Sequence, residues 1–283
     1  MFAVLAAGAA SLAFLAAGSA RASGGPPSIA AGPAFGFVPS HNAGHTSHGR
    51  VTPLLYHGGP VQSSGTQVRA IYWGSSWSNA TFKGDKISGL DTIYSSVQGT
   101  GYAHTNSEYA DGSGNHVNTT TISQLGDLID TSATPSGAPT TAQVLAEVAK
   151  ETGNNPVANA YYPVYSARPR GTAGYCAWHS TGTINGVSVQ FGFFFNLDGD
   201  PGCDPADPST THSQGLEALA NVTGHELSEM LTDPKLNAWY DQQGAENADK
   251  CAWKFSGNVT IGGQSWKIQG NWSNAASGCI ETS

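Results

Sequence analysis

The sequence carries one stretch whose residue types and spacing could do chemistry, Gly224-His225-Glu226-Leu227-Ser228-Glu229. On a helix, residues four apart stack their side chains on adjacent turns, so His225 and Glu229 would share a face. In the zinc-peptidase pattern H-E-x-x-H, histidines at i and i+4 bind the metal and the Glu beside the first acts as general base. Here the fifth position is Glu229, and a carboxylate oxygen is a competent zinc ligand. The spacing therefore nominates His225 and Glu229 as metal ligands. Glu226 becomes the catalytic base, taking a proton from a water acidified by the metal. A third ligand must come from elsewhere, and Asp233, Glu246 and Asp249 are the candidates. Glu246 is favoured, because a turn over Asp241 to Gly244 would fold the chain back over the helix. A histidine with two carboxylates is harder than the usual zinc set, and also suits Ca²⁺, Mn²⁺ or Mg²⁺.

A helix must hold these groups, and the pattern predicts one over Ser213 to Leu231. Leu216, Leu219, Ala220, Thr223, Leu227, Met230 and Leu231 form one stripe at 3–4 spacing, with His225 and Glu229 opposite and Glu226 at the border. Asp233-Pro234 ends it, since a residue before proline is pushed out of the helical region. The bland reading of the same pattern is the polar face of any amphipathic helix. Upstream, Thr66 to Trp73, Val157 to Tyr165 and Val187 to Asn196 read as strands, the last apolar enough to be central. Asn79 to Val97 and Thr140 to Glu151 read as helices. Short aromatic strands are expected near Ala238 to Tyr240, Lys250 to Phe255 and Ser265 to Ile268. This order predicts the α/β (α+β) class, a mixed sheet with packed helices.

Two further constellations invite a chemical reading. Asp198, Asp200, Asp204 and Asp207 put four carboxylates in ten residues, which suggests a weak calcium loop, although EF-hand order is absent. Cys176-Ala-Trp-His179 suggests a thiol nucleophile, but the cysteine count explains Cys176 better. Cys176, Cys203, Cys251 and Cys279 are an even set without C-x-x-C, so disulfides are expected, not a zinc knuckle. Three pairings are open. Sequence proximity favours Cys176 with Cys203 and Cys251 with Cys279.

The 283 residues carry 12 Lys+Arg against 20 Asp+Glu, a formal charge of −8 that argues against a nucleic-acid or anionic-membrane partner. Residues 1–22 read as a signal peptide: an apolar run of roughly 16 residues, then Ala20-Arg21-Ala22 as a cleavage site. Residues 23–53 are Gly, Pro, Ala, Ser and His without apolar period, and predict a flexible leader holding His41, His45 and His48. Residues 54–283 are then a single globular domain. The expected setting is secreted or extracellular (or periplasmic), with no membrane contact after signal cleavage and a monomeric state.

Leu55-Tyr56-His57-Gly58-Gly59-Pro60-Val61, followed by Val68 to Trp77 (VRAIYWGSSW), resembles the opening of the plant phosphate-induced protein or EXORDIUM family. A cysteine segment at Gly174 to Trp178, an Asp/Cys/Pro loop and a Leu/Ala-rich helix follow in similar order. Thr232-Asp233-Pro234 and Asn237 to Tyr240 stand where the plant proteins have Asn-Pro and an aromatic stretch. The resemblance covers residues 54 to 255 and implies a protein outside the cell or at its wall. With the His-Glu helix following the last central strand, the expectation is a secreted EXORDIUM-like protein with a zincin-like core. In that reading zinc is held by His225, Glu229 and Glu246, and a peptide is the substrate. The alternative is a non-catalytic extracellular protein whose exposed tryptophans bind a cell-wall component.

Overall fold

The computed structural model describes residues 26–41, 43 and 52–283. The expected signal peptide at 1–22, with His45 and His48, lies outside the described residues. The chain begins with β1 (Ile29–Ala31) and β2 (Phe35–Pro39), then β3 (Leu55–Tyr56), β4 (Thr66–Val68) and β5 (Ile71–Trp73). Helices α1 (Ala80–Lys83), α2 (Lys86–Ser96) and α3 (Gly101–His104) precede β6 (Ile122–Gln124), β7 (Leu128–Asp130) and α4 (Thr141–Glu151). Three long strands, β8 (Tyr161–Pro169), β9 (Tyr175–Ile184) and β10 (Val187–Asn196), lead into the long helix α5 (Gln214–Thr232). The rest comprises β11 (Trp239–Tyr240), a 3-10 turn at Asp249–Cys251, and two hairpins, β12 (Val259–Ile261) with β13 (Gln264–Trp266) and β14 (Asn271–Ser273) with β15 (Gly278–Ile280).

Nine strands form one mixed sheet in the order β1-β9-β10-β8-β4-β6, with β2 also on β9 and the pair β5 and β7 extending the far side. Strand β8 runs parallel to β10, β4 and β5, while β9 runs antiparallel to β10. This is the mixed α+β class expected. Strand β10 is central, with eight of its ten residues buried, because FGFFFN has apolar side chains for both faces. Tyr72, Tyr165 and Phe194 stack across neighbouring strands at centroid distances of 5.4 and 4.6 Å. The expected helix over 79–97 is split. Gly84, at φ 51°, ends α1, and Asp85 starts α2 while accepting the backbone N–H of Ser213 at 2.8 Å. That bond ties the beginnings of α2 and α5 together.

The structure departs from expectation in three places. Residues 23–53 are not wholly a flexible leader, because β1 and β2 pair antiparallel with the outer edge of β9. Backbone pairing needs no apolar period, and the edge of β9 would otherwise expose a row of unpaired N–H and C=O groups. Strand β9 itself was not expected as a strand, since YCAWHSTGTI mixes polar and apolar residues without alternation. The expected strand at Lys250 to Phe255 is a 3-10 turn followed by loop.

The disulfides are Cys176–Cys203 and Cys251–Cys279. Each closes a loop of 27 or 28 residues, worth about 3 kcal/mol in the chain-entropy model. They fit an oxidising compartment. Among the described residues no helix is long and apolar enough to cross a membrane.

The β6–β7 connection yields a pH prediction. Asp127 and Asp91 of α2 both accept from the Gln124 amide. Burial, and then the charge of Asp91, push the Asp127 pKa up to about 7. A carboxyl raised in the folded state contributes stability that is complete at low pH and lost as pH rises through that value. The Asp127→Asn variant should therefore lose less melting temperature than the parent between pH 5 and pH 8 in scanning calorimetry.

Candidate metal centre

Helix α5 starts at Ser213, whose hydroxyl accepts the N–H of Leu216, and ends at Asp233 before Pro234. It packs against β9, β10, β2 and α2. Every residue from Gly215 to Thr232 is buried, so the face opposite the apolar stripe is interior, not solvent-facing. A polar helix face can be buried only if the surrounding chain supplies partners. Asn221 accepts the N–H of Gln269 at 2.9 Å, Thr223 meets the Tyr165 hydroxyl at 2.8 Å, and Asn271 donates to Ser228 at 2.9 Å.

His225, Glu226 and Glu229 are each fully buried. His225 Nε2 stands 3.0 Å from Glu229 Oε1 and 3.5 Å from Asp249 Oδ1. His179, from the middle of β9, brings its Nε2 to 2.8 Å from Glu246 Oε2 and 3.6 Å from Glu229 Oε2. Glu229 is thus shared, one oxygen facing each histidine. The ligand atoms form two triads, His179–Glu229–Glu246 and His225–Glu229–Asp249, each gathered within 4.8 Å.

The loop carrying Glu246 and Asp249 folds back as its turn residues suggested. Asp241 Oδ1 accepts the N–H groups of Gln243 and Ala245 at 2.9 and 3.0 Å. The N–H of Asp249 donates to Glu229 Oε1 at 2.9 Å and pins the loop to the helix. The Cys251–Cys279 bond lies two residues beyond Asp249, and Cys176–Cys203 three residues before His179. Each disulfide therefore braces a segment that feeds the centre.

Electrostatics mark the cluster as strained. Burial lowers His179 to a pKa of about 3, so its ring is neutral. Burial, then the charge of Asp249, raises Glu229 to about 7. Burial pushes Glu246 and Glu226 well above the usual carboxylate range. The hydrogen-bond account does not close either. His225 Nε2, both oxygens of Glu226, Glu229 Oε2 and Glu246 Oε1 are buried without a hydrogen-bond partner. Each such group costs about 1–3 kcal/mol, and a cation bound at either triad would relieve those of Glu229 and its partners in that triad. Gln269 backs His225, its Nε2 donating to the Ala248 carbonyl at 2.8 Å and standing 2.9 Å from His225 Nδ1. In that arrangement Nδ1 accepts and the ring hydrogen sits on Nε2, so a cation at His225 would require the Gln269 amide to turn.

The structure thus gathers His225, Glu229 and Glu246 and leaves Glu226 buried and unpartnered on the same helix, but Glu246 pairs with His179 while Asp249 completes the His225 set. Asp233 stays apart, its Oδ1 accepting the N–H groups of Asn237 and Ala238 at the helix end. His179 was missed as a site residue. Its one signal was proximity to Cys176, which the disulfide absorbs. The four carboxylates proposed for calcium diverge. Asp198 pairs with Lys86, Asp200 holds Arg170, and Asp204 and Asp207 cap Ala206 and Ser209. A third acidic group, Asp130, Glu147 and Glu151, is centred on the Lys150 ammonium and is an ion-pair network.

Glu229 is the test of this geometry. Glu229→Ala removes the acceptor of the Asp249 N–H and the carboxylate that stands between the two histidines, and should cost about 3–5 kcal/mol in urea denaturation. Glu229→Gln, which keeps the shape and one acceptor, should cost clearly less.

Comparison with known protein families, with characterised proteins and with solved structures gives no match to this chain.

Proposed function

We propose that this protein is an exported metal-dependent hydrolase of the peptidase type, with zinc held by His179, Glu229 and Glu246. The observation that carries the reading is the cluster of buried, partnerless ligand atoms around Glu229. The donor set fits: a neutral imidazole and two carboxylates, each with an oxygen to spare. Zinc bound there would polarise a carbonyl and acidify a water molecule.

The remaining work falls to the chain's own residues. Glu226 is the general base: both its oxygens are unpartnered, and His225, Glu229 and Asp249 all bear on its charge. Burial keeps its affinity for a proton high, and a positive charge nearby would draw its pKa back towards the working range. His225 orients Glu229 from the far oxygen, with Gln269 fixing its ring from behind. Asp249 holds the same oxygen through its N–H.

The arrangement of the elements supports a zincin-like reading. Parallel strands are followed by an antiparallel strand near the sheet edge, and the His-Glu helix follows the last central strand. The segments behind the EXORDIUM resemblance also meet in space. Leu55–Tyr56 pairs with Trp239–Tyr240, and His57 stacks on Tyr240 at 3.6 Å. The wall-binding alternative called for exposed tryptophans in a row. Of the seven, five are buried and two, Trp239 and Trp253, are half-buried.

Elemental analysis of the zinc-supplemented, desalted protein is the first test. About one equivalent is expected in the parent and in Glu226→Gln, none in His179→Ala, and a weakened but measurable content in His225→Ala. Zinc lost from His225→Ala but kept by His179→Ala would overturn the ligand assignment. In hydrolysis of a quenched fluorescent peptide library, Glu226→Gln should fall about 10²–10⁴-fold below the parent.

A further inference from the structure

Each of the five groups at the candidate centre except Asp249 is at most 1% exposed, so no substrate reaches it in this form. The cover over one side is short and specific. Strand β2 crosses the His179–Glu229 pair with its backbone, and Gly36 is the residue at the crossing. Gly36 has φ 54° and is buried. A Cβ there would collide with the Glu229 carboxylate and come within 2.5 Å of His179 Cδ2 and 2.7 Å of its Nε2. Only glycine lets the backbone lie this close. Beside it, Phe35 sets its ring edge-on to His179 and against Tyr240, at centroid distances of 6.4 and 6.1 Å.

The cover is held by an irregular ladder and by hydrogen bonds, with no covalent cross-link. Strand β1 pairs with β9 over three residues, and β2 pairs at Phe35–His179, Val38–Ala177 and Pro39–Tyr175 with register shifts between them. Loop hydrogen bonds also fasten it: the N–H groups of Gly32, Ser40 and His41 donate to the carbonyls of Thr181, Gly174 and Gly202 at 2.7, 2.9 and 2.8 Å, Ser180 Oγ to the Pro33 carbonyl at 2.7 Å, and Trp253 Nε1 to the Pro39 carbonyl at 2.7 Å. His41 lies over the Trp253 ring at 3.9 Å. The first cysteine in the chain is Cys176, so no disulfide ties residues 26–41 to the body. Phe37 is exposed and the ladder is irregular, whereas Val38 is buried in the core, so opening of β2 would withdraw that one core side chain.

We propose that residues 26–41 are an intramolecular blocking segment. They occupy the edge of β9 where an extended peptide would add as an antiparallel strand, and they close the metal centre until displaced. This rests on the hydrolase reading for its consequence, but not for its geometry. An extended peptide bound to a sheet edge gains main-chain hydrogen bonds irrespective of sequence, with side-chain pockets setting preference. β2 shows the direction such a peptide would take and places its backbone over His179 and Glu229. The substrate class is therefore an unfolded or extended polypeptide with a small residue at the crossing point.

The test uses the full chain with a site-specific protease sequence placed between residues 44 and 51, zinc-loaded, before and after cutting. Two rates are read: loss of zinc to a strong chelator, and hydrolysis of an unstructured protein. If the covered state outweighs the open one about tenfold, cutting raises both rates about tenfold. A synthetic peptide of residues 26–41 added back should lower them again. Gly36→Ala in the uncut chain, checked for a native circular-dichroism spectrum, should raise zinc loss without any cut. Equal rates before and after release of the segment overturn the blocking role and leave the metal reading standing. Faster zinc loss without hydrolysis upholds the cover and sinks the peptidase. Zinc bound by neither form sinks the hydrolase reading and this proposal with it.

Discussion

The carboxylate of Glu229 is the interaction on which the candidate centre depends. It is fully buried, yet one oxygen faces His225 and takes the N–H of Asp249, while the other faces His179. A carboxylate in that position needs polar groups around it. Those groups come from α5, from the middle of β9 and from the loop beyond Asp241, and they still leave Oε2 without a hydrogen-bond partner. Each of these segments must therefore be held in place, and each is. Cys176–Cys203 braces β9, Cys251–Cys279 braces the loop, and Ser213 with Asp85 fixes the start of the helix.

The same demand explains a helix buried on all sides. Most long helices hide one stripe and give the other to water. Here the hairpins after the helix cover the second face and supply polar partners in the form of Gln269 and Asn271. The cost is a group of ligand atoms whose hydrogen-bond needs the chain does not meet. Buried unpaired groups of this kind concentrate at functional sites, because only function repays them. Elsewhere in the described structure Lys150 answers Asp130 and Glu147, Arg170 answers Asp200, and the Asp91–Asp127 pair shares the Gln124 amide. Around Glu229 no lysine or arginine ion pair is found among the described residues. That contrast sets the centre apart from an ordinary salt-bridge network.

The covering strand adds a dynamic side to this static account. A sealed centre keeps its ligands dry and its electrostatics strong, but excludes substrate. Holding the seal with an edge strand reconciles the two, since a strand without a covalent tie can leave at the cost of withdrawing Val38 from the core. Gly36 marks how close the fit is.

Local patterns sufficed for the elements with strong periods. The 3–4 stripe of α5, the apolar run of β10, the cap at Thr140 and the i, i+4 placement of His225 and Glu229 are all written in neighbouring residues. So was the preference for near-neighbour disulfides, since short loops close at least entropic cost. What the tertiary structure decided was everything that joins distant segments. His179 sits in a polar strand without alternation, and only the sheet register brings it to Glu246, 67 residues away. The split of Glu246 and Asp249 between two histidines follows from how one loop lies across the helix. The strands at 29–39 exist because β9 has an edge to fill, a property of the sheet and not of their own composition. Local sequence sets which conformations are cheap. Which side chains meet inside a core depends on packing between elements, and no nearest-neighbour pattern contains it.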